Sequence, residues 1–142
     1  MPLRTRYDQL TATEARCLTY LADGLSTTDT ADKMGTKPQT VQSHLRRIRI
    51  KLGDGPRAFV LHRAYVKRQL PLPLAAKAPV RFTHEDLRIW NLVATGKVPA
   101  GAAGTTTRTA IKALMQKAGA ETETHLIQLG HTYRLLTGPE ET

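Results

Sequence analysis

Hydrogen-bonding amides and guanidinium groups follow one another along a short stretch of the chain, residues 36–52. Its sequence is TKPQTVQSHLRRIRIKL. A glutamine side chain can form two hydrogen bonds with the edge of an adenine, and an arginine side chain can do the same with a guanine. Lysine and arginine also bind phosphate oxygens through their charge. These residue types therefore suit contacts with the bases and the backbone of DNA.

The apolar residues of the same stretch place these polar groups on the outside of a helix. Val41, Leu45, Ile48 and Leu52 follow one another in steps of four, three and four, which is typical of one buried stripe. The amides and arginines lie on the opposite face. Two interpretations remain open from this pattern alone: a solvated surface helix, or a helix that lies in the major groove of DNA.

The net charge is concentrated in the first part of the chain. Residues 1–79 hold 14 lysines and arginines against 6 acids, a net charge of +8, whereas residues 80–142 hold 7 against 6, a net charge of +1. A small domain this basic attracts polyanions, because neutralised phosphates release their condensed counterions. Only 5% of the residues are aromatic, which disfavours a stacking platform for single strands. The charge therefore favours duplex DNA as the partner.

Several other classes of protein are disfavoured. The single cysteine, Cys17, excludes a disulfide within the chain and a multi-cysteine zinc site. The histidines lack the paired spacing of metal ligands, no catalytic triad is suggested, and no apolar run approaches a membrane span. The start of the chain lacks the apolar block of a secretion signal. We therefore expect a cytoplasmic, nucleoid-associated protein that is not an enzyme and has no catalytic residue, metal, cofactor or membrane contact.

Three prolines within residues 71–79 predict a linker between two halves, because proline disfavours a helix interior. The halves resemble each other. Residues 10–24 align with 82–96 at an offset of 72, and residues 40–53 align with 106–119 at an offset of 66. Six residues are therefore missing from the second half, where a proline and two glycines in residues 98–105 favour a turn over a helix.

The first half predicts four helices, near residues 12–23, 27–34, 38–52 and 56–68. Thr11 with Glu14, and Thr83 with Asp86, suit capping boxes at the first helix of each half. Thr36 is predicted to cap the third helix. The second and third helices are joined by only a few residues, as in a helix-turn-helix unit, whose second helix enters the major groove.

The residues of this segment resemble a known family. The string from Leu10 to Gly53, above all TVQSHLRRIRIKLG, is similar to the LuxR-type (LuxR/FixJ) DNA-binding domain of bacterial transcription regulators, and the resemblance covers about residues 8–70. Two departures stand out. Asp29 and Thr30 occupy positions where the family usually has glutamate and isoleucine, and Gln42 occupies a position where it usually has lysine.

The resemblance implies that the residues just after Val41 contact bases. The predicted base-reading residues are Gln42, Ser43 and Arg46. Neighbouring polar residues are expected to bind phosphates and so position the helix. These are Lys37, Gln39, Thr40, Arg47 and Lys51. In the second half the positions equivalent to the base readers hold Arg108, Thr109 and Lys112, and we expect any DNA contact there to be auxiliary.

The sequence thus predicts an all-α protein of two tandem helix-turn-helix domains joined by a proline-containing linker. The domains are a LuxR-type domain at 1–70, the linker at 71–79 and a degenerate copy at 80–138. The predicted function is sequence-specific binding of double-stranded DNA to regulate transcription. The alternative is an adaptor that holds RNA polymerase or another regulator and touches DNA weakly. A homodimer and an intramolecular pairing of the two domains both remain open.

Overall fold

Residues 9–136 are described by the computed structural model, and this part of the chain forms seven α-helices and no strand. The prediction of an all-α fold is confirmed. The helices are α1 Ala12–Ala22, α2 Thr27–Met34, α3 Pro38–Leu52, α4 Arg57–Val66, α5 His84–Thr95, α6 Gly101–Ala118 and α7 Glu123–Thr132.

The helix ends show how local sequence sets these bounds. The Thr11 hydroxyl accepts a hydrogen bond from the backbone N–H of Glu14, and the Glu14 carboxylate accepts one from the N–H of Thr11, which completes the predicted capping box. The prediction that Thr36 caps α3 is wrong. The capping position belongs to Lys37, whose backbone is extended (φ −101°, ψ 153°), because Pro38 disfavours helical geometry in the residue before it.

Helices α1–α4 enclose the first part of the core. Helix α3 packs on α1, α2 and α4, and its stripe of Val41, Leu45, Ile48 and Leu52 is at most 1% exposed. Helices α2 and α3 are joined through Gly35, whose left-handed backbone (φ 67°) ends α2. Cys17 is buried in this core.

Within residues 9–136, the second half has three helices where the first has four. Residues 97–100 are not helical, so no helix corresponds to α2 between α5 and α6. The predicted turn at residues 98–105 is only partly found, because α6 begins at Gly101 and continues to Ala118. Trp90 is fully buried in this half and donates a hydrogen bond from its indole N–H to the carbonyl of Leu126, at 2.7 Å.

The two halves pack directly against each other. Helix α7 lies against both α4 and α1, helix α5 lies against α4, and one continuous apolar core includes residues of both halves. His62 on α4 and His131 on α7 meet across this contact, with Nδ1 and Nε2 2.9 Å apart. The linker lies beside α7 in space. The backbone N–H of Ala76 donates a hydrogen bond to the carbonyl of Thr132 at 3.0 Å. Within residues 9–136, no helix has the length and apolar character that crossing a bilayer requires.

Candidate nucleic-acid interface

Helix α3 presents a polar, cationic face to solvent because its apolar stripe fixes its rotation. The helix contains no acidic residue, and its first turn has no side-chain cap. Pro38 has no backbone N–H and the N–H of Thr40 donates to the carbonyl of Lys37, so the N–H of Gln39 is left at the positive end of the helix dipole, which is a favourable position for an anion. The exposed face thus combines side-chain cations with the N-terminal dipole.

Two of the three predicted base readers lie together on this face. Gln42 and Arg46 are exposed, stand four residues apart and line one surface depression of about 500 Å³. Ser43 is half-buried, and its hydroxyl donates a hydrogen bond to the carbonyl of Gln39 at 3.2 Å. Gln42 and Arg46 are therefore free to bond to a ligand, whereas the proton of Ser43 is already directed at its own helix.

The predicted phosphate contacts surround these residues. Lys37 and Gln39 are exposed at the start of α3, Thr40 directly follows Gln39 and is half-buried, and Arg47 is exposed beside Arg46. The first three lie at the N-terminus of the helix, around the backbone N–H of Gln39. Cations and backbone donors at one helix end are the arrangement that binds phosphate in many proteins.

One comparison with known proteins decides what this arrangement is. Residues 8–64 match the family model described as bacterial regulatory proteins, luxR family. Residues 8–64 are a LuxR-type helix-turn-helix domain. The resemblance seen in the sequence is confirmed for these residues, and a domain of this family supports a DNA-binding transcription regulator. Searches of curated proteins and of solved structures found no match to the chain.

Lys51 of the LuxR-type domain forms an ion pair within the fold. Its ammonium group lies 2.6 Å from Oε1 of Glu14, and the two side chains are only 15% and 4% exposed. Burial raises the pKa of Glu14, but hydrogen bonds from Lys51 and from the backbone and hydroxyl of Thr11 outweigh this effect and leave the pKa lowered. Lys51 therefore joins α3 to the capping box of α1.

Two further residues line the depression and were not among the predicted DNA contacts. Arg49 lines it, and its Nε donates to the carbonyl of Gly55 at 2.9 Å, so the guanidinium is held beside the end of the helix. Ile50 also lines it and is 80% exposed. The signal was present in the sequence, since Gln42, Arg46 and Ile50 follow one another in steps of four.

The predicted auxiliary residues lie on α6, outside this depression. Arg108, Thr109 and Lys112 are all exposed. The Thr109 hydroxyl donates to the carbonyl of Thr105 at 3.1 Å. Arg108 lines a second, smaller depression of about 240 Å³ together with Pro56, from the loop before α4. The structure thus leaves Arg108 and Lys112 available to a ligand.

Proposed function

We propose that the protein binds double-stranded DNA in a sequence-specific manner and reads the major groove with α3. The observation that carries the proposal is the free pair of Gln42 and Arg46 on the exposed face of a matched LuxR-type domain. Helix α3 contains no carboxylate that would repel phosphates. When bound to DNA, the protein would regulate transcription, as members of the family do.

The side chains divide into two groups by what they can recognise. Gln42 can pair with adenine, and Arg46 with guanine, through two hydrogen bonds each. Ser43 keeps its oxygen lone pairs as acceptors beside them. Around these base readers we propose phosphate contacts that fix the register of the helix without reading sequence. They are Lys37, Gln39, Thr40 and Arg47.

We propose a different role for Lys51, which the sequence placed among the phosphate contacts. Its ammonium group is only 2.6 Å from the Glu14 carboxylate and has little exposed surface. Binding a phosphate would require this charge to leave a buried partner unpaired, which is costly. Lys51 therefore holds α3 against α1 and determines the angle at which the helix is presented.

Salt dependence tests DNA binding itself. A binding site is selected from a random duplex pool, and the affinity of the full chain is then measured by fluorescence anisotropy over a range of salt concentrations. The logarithm of the binding constant should fall linearly with the logarithm of salt, with a slope of about 0.9 per neutralised phosphate. No binding by the folded protein at low salt would instead favour the adaptor function.

Single substitutions test the division of labour. Gln42→Ala and Arg46→Ala should each weaken the selected site by about 1–3 kcal/mol and relax the preference at one base position. Lys37→Ala should weaken all sequences about equally and reduce the salt slope by about one. The matched control is Lys77→Ala, which removes an exposed cation from the linker. An equal loss on every sequence for Arg46→Ala would identify this residue as a phosphate contact.

A further inference from the structure

Each half contains an ion pair between its first helix and the helix that carries the predicted DNA contacts, and the two ion pairs occupy equivalent positions. Lys51 on α3 pairs with Glu14 on α1 at 2.6 Å. Lys117 on α6 pairs with Asp86 on α5, also at 2.6 Å. Asp86 stands 72 residues after Glu14, and Lys117 stands 66 residues after Lys51, which are the offsets of the two sequence alignments. Both acids also complete capping boxes. Helix α6 is therefore held on α5 in the way that α3 is held on α1.

Each half also makes an equivalent contact with the other half. In each case the glycine after the first helix of one half lies against a ring on the last helix of the other half. A methyl group added to Gly24, after α1, would lie 3.1 Å from the His125 ring on α7. A methyl group added to Gly96, after α5, would lie 3.4 Å from the Phe59 ring on α4. The two glycines are equivalent at an offset of 72, and the two rings at an offset of 66.

Exchange of the two halves leaves this set of contacts unchanged. Helix α1 packs on α7 as α5 packs on α4, while α4 and α7 pack on each other. An interface that maps onto itself when the partners are exchanged is isologous, the type formed by two-fold dimers. The two halves are thus related as the subunits of a dimer, with α3 and α6 in equivalent positions.

Helix α6 has the charge that contact with DNA requires. Like α3, it contains no acidic residue and has no side-chain cap at its first turn. Exposed Arg108 and Lys112 occupy the positions equivalent to Gln42 and Arg46. Its other exposed polar side chains include threonines, whose short hydroxyls suit backbone contacts more than long-range base recognition.

The loop between α3 and α4 contributes to the depressions beside both helices. Asp54 lines the depression beside Gln42 and Arg46. Pro56, two residues further along the chain, lines the depression beside Arg108. Residues 54–56 therefore lie next to cations of both α3 and α6.

We infer that one chain acts as a built-in dimer, in which α6 contacts a second segment of the duplex beside the segment read by α3. The inference rests on the proposed function of α3. Paired helix-turn-helix units meet half-sites one helical turn apart, about 34–36 Å, because DNA shares their two-fold symmetry. The two half-sites differ here, since α3 selects sequence through Gln42 and Arg46 while α6 binds chiefly phosphates through Arg108 and Lys112.

Hydroxyl-radical footprinting with the full chain on a selected duplex tests this inference, combined with sedimentation to count chains per duplex. One chain should protect two segments about one helical turn apart. Arg108→Ala with Lys112→Ala should remove the second protected segment, retain the first, and lower the salt slope by about two. The matched control, Lys77→Ala with Arg81→Ala, removes two exposed cations elsewhere and should retain both segments. Circular dichroism verifies that each variant is folded.

The outcomes separate this inference from the proposed function. Absence of any protected segment would overturn both. One protected segment, unchanged by the α6 double substitution, would overturn the inference and leave the role of α3 intact. Two segments that require two chains per duplex would also overturn it, because the partner would then be a second molecule.

Discussion

Among single residues, Thr30 departs most clearly from an apolar core. It is 0% exposed on α2, and its hydroxyl has no hydrogen-bond partner. A buried polar group without a partner costs about 1–3 kcal/mol. Thr30→Val keeps the shape of the side chain and should raise the free energy of unfolding by about 1 kcal/mol in urea denaturation. Exposed Thr28→Val, on the same helix, is the control. A loss of stability in Thr30→Val would mean that the hydroxyl is bonded.

The two equivalent ion pairs allow a matched comparison of burial. The Lys51–Glu14 side chains are 15% and 4% exposed, whereas those of Lys117 and Asp86 are 36% and 21% exposed. Lys51→Met keeps the apolar stem but leaves a buried carboxylate unpaired, which should lower the free energy of unfolding by about 3 kcal/mol. Lys117→Met should cost less than about 1 kcal/mol, because its pair is screened by solvent. Thermal unfolding of both variants measures the difference, and equal losses would contradict the argument.

At the scale of the helices, the histidine pair between α4 and α7 predicts a dependence on pH. Burial lowers the pKa of His62, and burial together with His62 and Arg134 lowers the pKa of His131 to about 4. The unfolded chain therefore binds protons near pH 6.5 that the folded chain does not. Stability should be fully present above pH 6.5 and decrease as the pH falls toward 4, by up to about 1.4 kcal/mol per pH unit for each histidine.

Urea denaturation between pH 7 and pH 5 measures this slope before most carboxylates titrate. His131→Gln should flatten it, whereas His84→Gln changes an exposed histidine and should leave it as in the parent chain. If the stability of the parent chain is constant over this range, the two histidines are protonated as readily in the folded chain as in the unfolded chain, which would contradict the prediction.

The sequence predicted the helices well because their signals are local. Steps of three and four between Val41 and Leu52 set the buried side of α3, and a glycine ends α2. The start of α3 was less predictable, since Thr36 is a good cap by type but Pro38 makes Lys37 the capping residue. The ion pair of Lys51 could not be predicted for a different reason. Its partner, Glu14, is 37 residues away in sequence, so only the packing of α3 on α1 brings the two charges together.

At the scale of the whole molecule, the shared core predicts cooperative unfolding. The single tryptophan, Trp90, reports on the second half, whereas far-ultraviolet circular dichroism reports on all helices. Leu45→Ala creates a cavity in the first half, where Leu45 is 0% exposed, and should cost about 3 kcal/mol. It should shift the Trp90 fluorescence transition and the dichroism transition equally. An unchanged fluorescence midpoint would show that the halves unfold separately.

The packing of the halves could not be predicted from the sequence. The apolar residues of α4, such as Val60 and Tyr65, need a covering surface, but periodicity does not identify which surface provides it. A helix of a second molecule could cover the apolar residues of α4 just as α7 does, and the sequence pattern would be the same. The contacts of Gly24 with His125 and of Gly96 with Phe59 distinguish these arrangements, and they appear only in three dimensions.

The covering of α4 by α7 affects how occupancy of a DNA site would respond to the amount of protein in a cell. A regulator that assembles from two free chains occupies its site according to the square of its concentration when it is scarce, which gives a threshold. A chain that carries its partner within itself occupies the site in direct proportion to its concentration. The response of such a chain would therefore be graded, without a threshold. Each half can also change by mutation without altering the other, so the recognised site is not constrained to be a palindrome.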